Sequence, residues 1–174
     1  MKFRGGQSSG GSGLPYLKIK DGETIHAVFK GDPSEGYSNF NTKEWFPLDA
    51  GKQPGTTYRF RVNVIVKEGA SYVAKVWEQG WERTQDILKL SEDADQFLNK
   101  KLEDVVVSIT RSGTTKDDTA YTLRIAKQQP EAATWKVINS VKLNDLSGTP
   151  TTKGISEPPF DASPMPTEDE EIPF

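Results

Sequence analysis

The sequence predicts a mainly β fold, a small antiparallel barrel with one or two short helices and disordered termini. Three observations carry this expectation. Residues 57–67 alternate cleanly: Tyr58, Phe60, Val62, Val64 and Val66 fall on one side of an extended chain. Short alternating runs are separated by turn signals, Asp21-Gly22 and Glu68-Gly69 among them. Helical periodicity is clearest in one stretch, residues 80–91.

The elements follow in order. Residues 1–14 include the run GGQSSGGSG and read as a flexible arm. Residues 15–31 read as a hairpin turning at Asp21-Gly22. Residues 32–56 are rich in turn formers and read as a long loop carrying Tyr37, Phe40, Trp45 and Phe46. The strand at 57–67 turns at Glu68-Gly69 and returns over 71–78, with Lys75 and Trp77 on one side. In the helix over 80–91, Ile87, Leu88 and Leu90 supply part of an apolar stripe, and a second short helical piece is expected over 93–101. Residues 104–111 and 119–126 form a strand pair around a small polar loop. A short amphipathic helix lies within 130–146, with Trp135, Ile138 and Val141 at helical spacing. From there to residue 174 Pro, Thr, Ser and acids dominate without any period, so disorder is expected. The domain reading is thus an arm (1–14), a barrel core (15–128), a helical extension (129–146) and an acidic tail (147–174).

Strands interrupted by one helix after the third or fourth suit a small closed or partly open barrel. The oligonucleotide-binding (OB) fold is one such barrel, and other small β-barrels fit the same order.

Composition narrows the chemistry. Among the 174 residues there is no cysteine and one histidine, His26, which excludes disulfides, thiolate metal sites and cysteine nucleophiles. No P-loop, clustered carboxylates or nucleophile with a histidine base is evident, so no enzyme, cofactor or metal is expected. No apolar run reaches the roughly 18 residues of a membrane span, and the first residues lack the apolar stretch of a signal peptide. A soluble, cytoplasmic protein is expected. The net charge of -3 hides a split: residues 149–174 hold six acids and one base, leaving the body with 21 bases against 19 acids.

A mildly basic body invites an anionic partner, and single strands are gripped by cations along the phosphates plus rings that stack on bases. The second face of residues 57–67 carries Arg59, Arg61 and Lys67, and Lys75 on the returning strand extends the strip. Arg111, Lys116 and Arg124 are further candidates in the last strand pair. Tyr37, Phe40 and Trp45 are candidate stacking rings because their loop offers little core, and Trp77 shares a face with Lys75. Tyr58, Phe60 and Tyr121 read as core, and Trp81, Phe97 and Trp135 as helix packing.

The chain ends Asp169-Glu170-Glu171-Ile172-Pro173-Phe174. A terminal Phe with its own carboxylate is a compact ligand, its ring for an apolar pocket and its charge for a basic side chain. This end resembles the D-D-D-I-P-F tip of bacterial single-stranded DNA-binding proteins. The Arg59–Arg61 region, the stretch WEQGWERTQDILKL and the stretch ITRSGTTKDDTAYTL resemble the core of phage-encoded single-stranded DNA-binding proteins. The resemblance implies an OB fold, sequence-independent binding of single-stranded DNA in replication, recombination or repair, and a tip that recruits enzymes of those pathways in a host bacterial cytoplasm. Two features depart from the family: the cysteines of a zinc site are absent, and the linker before the tip is short and Pro/Thr-rich rather than Gly/Gln-rich. A homo-oligomer stays open. The alternative is a protein-interaction module whose tail imitates the host tip.

Overall fold

The computed structural model describes residues 13–147. It is mainly antiparallel sheet. Six strands, β1 (Thr24–Asn39), β2 (Trp45–Pro47), β3 (Thr56–Glu68), β4 (Ser71–Gln79), β5 (Val107–Ser112) and β6 (Ala120–Ile125), are joined by two helices, α1 (Trp81–Leu98) and α2 (Ala132–Asn139). The strand order is β4-β3-β1-β5-β6, and β2 pairs with the end of β1.

β1 organises the sheet. Its first residues pair with β5 (Thr24 opposite Thr110, Ala27 opposite Val107) and the rest with β3 (Ala27 opposite Val66, Asn39 opposite Thr56). The strand bends at a register shift between Lys30 and Ser34. Gly31, at φ +75°, supplies the left-handed residue that such a bulge favours. Strand therefore covers residues 32–39, where the sequence reads as loop, and β2 pairs back onto it through Ser38–Trp45 and Gly36–Pro47. Asp32, Pro33 and Gly36 mark a bend and a close approach, not the end of the strand.

The expected hairpin over residues 15–31 has its turn but not its pairing. Lys20 O accepts from Glu23 N at 3.0 Å. Both edges of β1 are already occupied, and the arm before the turn crosses instead to the free edge of β4. There Leu17 N donates to Val76 O (2.8 Å) and Val76 N to Pro15 O (2.9 Å), a parallel bridge.

The inner face of β3 is as expected. Phe60, Val62, Val64 and Val66 are buried with Ala27, Phe29, Trp77, Leu90, Ala94, Val107 and Ile109. The outer face is not the solvated strip its composition suggests. Ile65 packs with Val28, Val106, Ala126 and Ile138 in a second core, covered by Trp135 of α2 and Val141. Asn63 grips the following segment: Asn144 N donates to Asn63 Oδ1 (2.9 Å), Asn63 Nδ2 to Asn144 O (3.0 Å), and Asn144 Nδ2 to Ala74 O (3.1 Å).

α1 is one helix, longer than expected, absorbing most of the second piece at 93–101. Asn99, left-handed at φ 55°, ends it: Asn99 N donates to Asp95 O (3.0 Å) and Lys100 N to Ala94 O (3.1 Å). Its buried stripe is Leu90 and Ala94, with Ile87 half-buried. α2 is the short core of the segment read as helical over 130–146.

The edge strands β4 and β6 are not paired with each other among the described residues, so the sheet does not close by hydrogen bonds. The seam is bridged otherwise. Trp77 and Tyr121 meet edge-to-face at 5.8 Å, and Arg83 Nη1 of α1 donates to Tyr121 O at 3.3 Å. The N-terminal segment runs on from β4 to β5, where Arg111 Nη1 donates to Ile19 O (2.7 Å). No helix among the described residues is long and apolar enough to cross a membrane.

Candidate nucleic-acid interface

Beyond the core, the inner faces of β1 and β3 continue outward as a run of rings. Register places Tyr37 opposite Tyr58 and Glu35 opposite Phe60, so all four side chains share this face. Tyr37 meets Tyr58 edge-to-face at 6.4 Å, and Tyr58 meets Trp81 at 5.5 Å. Trp81 opens α1 directly after Gly80 and is 60% exposed. Phe46 of β2 lies opposite Tyr37 and is half-buried. Tyr58 donates its hydroxyl to Glu35 Oε1 at 2.7 Å. Burial pushes the Tyr58 hydroxyl well above the usual tyrosine range, and the Glu35 carboxylate adds to the shift.

At the rim of this ladder the β1–β2 turn presents Phe40, 57% exposed. Asn39 fixes the turn by accepting from Asn41 N (2.9 Å) and Thr42 N (3.0 Å) on its side-chain oxygen. Lys43, left-handed at φ 63°, brings its ammonium to 4.1 Å from the Phe40 ring centroid.

The expected arginines lie on the opposite face of the same strands. Arg61 is 3% exposed, and its Nε donates to Glu78 Oε2 at 2.8 Å. Its Cζ sits 3.8 Å from the Trp45 ring centroid. Its Nη1 is buried with no hydrogen-bond partner among the described residues, beside the indole that compensates its charge. Arg59 shares Glu78 at 3.5 Å, and Tyr16 donates its hydroxyl to the same carboxylate at 3.3 Å. Trp45 fits because Gly36 has no side chain: a Cβ there would meet the Phe46 carbonyl oxygen and come within 2.9 Å of the indole.

Arg61, Trp45 and Trp77 thus depart from the exposed placement the sequence suggested. Charge on a half-apolar strand reads as solvent-facing, but here a neighbouring acid and an indole cover it. Trp77 is 2% exposed against Phe29 and Tyr121, in the core. Lys75 pairs with Glu68 at 3.0 Å. Arg111 is spent on Ile19 O and Thr119 Oγ1, holding the N-terminal segment. Lys67, Lys116 and Arg124 are exposed, at the end of β3, in the β5–β6 loop and on β6. In that loop Thr115 donates its N–H and its hydroxyl to Asp118 Oδ1, both at 2.8 Å, holding the Asp118 carboxyl below the usual range. The tip residues Asp169, Glu170, Glu171, Ile172, Pro173 and Phe174 lie outside the described residues.

Of the expected rings, the structure joins Tyr37 to the ladder, with Phe40 at its rim. It adds Tyr58 and Trp81, which read from the sequence as core and helix packing, and Glu35, which no sequence signal singled out. Helical spacing carried a signal for Trp81: at about 100° per residue it lies roughly opposite Leu90 and about 140° from Ala94, away from the buried stripe. Among the described residues, no group of three or more His, Cys, Asp or Glu side chains is placed to hold a metal. Comparisons with protein-family models, curated proteins and solved structures find no match for this chain.

Proposed function

We propose that this chain is a binding protein for single-stranded DNA, without catalytic activity of its own, serving replication, recombination or repair. The observation that carries the reading is the ladder Tyr37–Tyr58–Trp81, partly open to solvent, with exposed Phe40 and its lysine at the rim. Rings left open beside an antiparallel sheet suit unpaired bases, whose faces are free to stack, and suit duplex poorly. The acidic end at residues 169–174 supports recruitment of partner proteins by its sequence alone.

The test is a titration of labelled single-stranded and double-stranded oligonucleotides followed by anisotropy. Single strands should bind and duplex should bind far more weakly. Trp81→Ala should cost about 1–3 kcal/mol of affinity, the worth of one stacked base, while leaving stability almost unchanged because the ring is largely exposed. Equal affinity of wild type and Trp81→Ala would remove the ladder from the account.

A further inference from the structure

We propose that Glu35 makes the ladder discriminate between bases, favouring guanine. The inference rests on the reading above that these rings stack bases, and adds a preference to an otherwise tolerant platform.

A carboxylate is an odd tenant for a surface meant to follow a polyanion. Beside the phosphates it would repel them, since cations are what position a nucleic-acid backbone. Glu35 does not stand apart from the rings: it shares their face in the β1–β3 register and accepts the Tyr58 hydroxyl at 2.7 Å. Tyr58 in turn touches both Tyr37 and Trp81. A base stacked on these rings therefore presents its edge, not its phosphate, toward the carboxylate.

The acceptor capacity is there. An ionised carboxylate has about four lone-pair sites, and Tyr58 uses one, on Oε1. A tyrosine hydroxyl is protonated at neutral pH, so Tyr58 is the donor of this bond and Glu35 its acceptor. Glu35 is otherwise exposed.

Edge chemistry then sorts the bases. Guanine offers N1–H and N2–H side by side, two parallel donors matching two carboxylate oxygens. Thymine offers N3–H flanked by two carbonyl oxygens, which face the second carboxylate oxygen as like partial charges. Cytosine and adenine each pair one amine donor with a ring-nitrogen acceptor, so one contact gains and the other loses. Guanine alone satisfies both oxygens from one edge.

The experiment uses the full chain and a short labelled oligo-dT whose central residues are replaced by dG, dI, dA or dC, with anisotropy as readout. Hypoxanthine lacks the N2 amine, so dI tests the second donor without altering the protein. Expected for wild type is tighter binding of the dG oligonucleotide than of oligo-dT by about 5- to 10-fold, the lower part of what a bidentate base contact gives. dI should lose most of that advantage. Glu35→Gln should bring dG and dT to within about twofold, because an amide presents one acceptor and one donor to the guanine edge. Equal affinity of wild type for all the oligonucleotides overturns the preference and leaves single-strand binding standing. A dG preference that survives Glu35→Gln also overturns it. Failure of wild type to bind any of them defeats the functional reading and this inference together.

Discussion

The side chain whose surroundings differ most from its character is Arg61. A guanidinium on a sheet face would ordinarily be solvated, yet this one lies between Glu78 and the Trp45 ring. Removing one member of a buried pair leaves the other uncompensated, which typically costs 3–5 kcal/mol. Glu78 keeps Arg59 as a second partner, so Arg61→Ala should lose about 3 kcal/mol in urea unfolding. Arg59→Ala, at a longer and more exposed contact, should lose about 1 kcal/mol or less. Tyr58 yields a second expectation at this scale. Its folded-state ionisation is raised, so its contribution to stability is complete below the ordinary tyrosine range, about pH 10. That contribution falls as pH rises further, because the unfolded chain ionises where the folded one does not. Tyrosinate absorbance of the folded protein at about pH 11 should be equal for wild type and Tyr58→Phe, since Tyr58 is still protonated there.

Among the elements, β1 shows how far a pattern of residue types can be read. Its apolar stretch around Ala27–Phe29 is plain in the chain, as is the alternation of β3. The continuation through Asp32, Pro33 and Gly36 is hidden, because residues that end strands elsewhere here serve a bulge and a close contact. Gly36→Ala places a methyl against the Trp45 ring and the Phe46 carbonyl. It should cost about 2 kcal/mol, a usual overpacking loss, and shift the fluorescence of Trp45 as β2 lifts from β1. The N-terminal segment was equally hidden: Asp21-Gly22 announces a turn but not which strand the preceding arm will meet. Ile19 anchors that arm in the core. Ile19→Ala should cost about 2–4 kcal/mol and speed hydrogen exchange at the Val76 amide, which donates to Pro15 O. Likewise the stripe Trp135, Ile138 and Val141 was legible, but alternation and periodicity say which face is apolar and not what will cover it.

For the molecule as a whole, rings and cations divide between two faces of one sheet. The ladder lies inside the curve of β1 and β3, while Arg59 and Arg61 lie outside it, paired with an acid. Seven cations seemed available from residue type; four of them, Arg59, Arg61, Lys75 and Arg111, are engaged within the fold. If the other three, Lys67, Lys116 and Arg124, all exposed, neutralise three phosphates, the logarithm of affinity should fall with that of salt at a slope of about -2. All seven expected cations would have given about -5. A measured slope of about -4 or steeper would mean that more cations than these three reach phosphates.

The grip of Asn63 on Asn144 has a mechanical consequence. Tension carried back along the chain past the buried Leu146 loads these paired amides, on the side of the sheet away from the ladder. The bonds would peel one after another before any strand is loaded in shear, so such a tug is absorbed locally and the stacking rings stay in register.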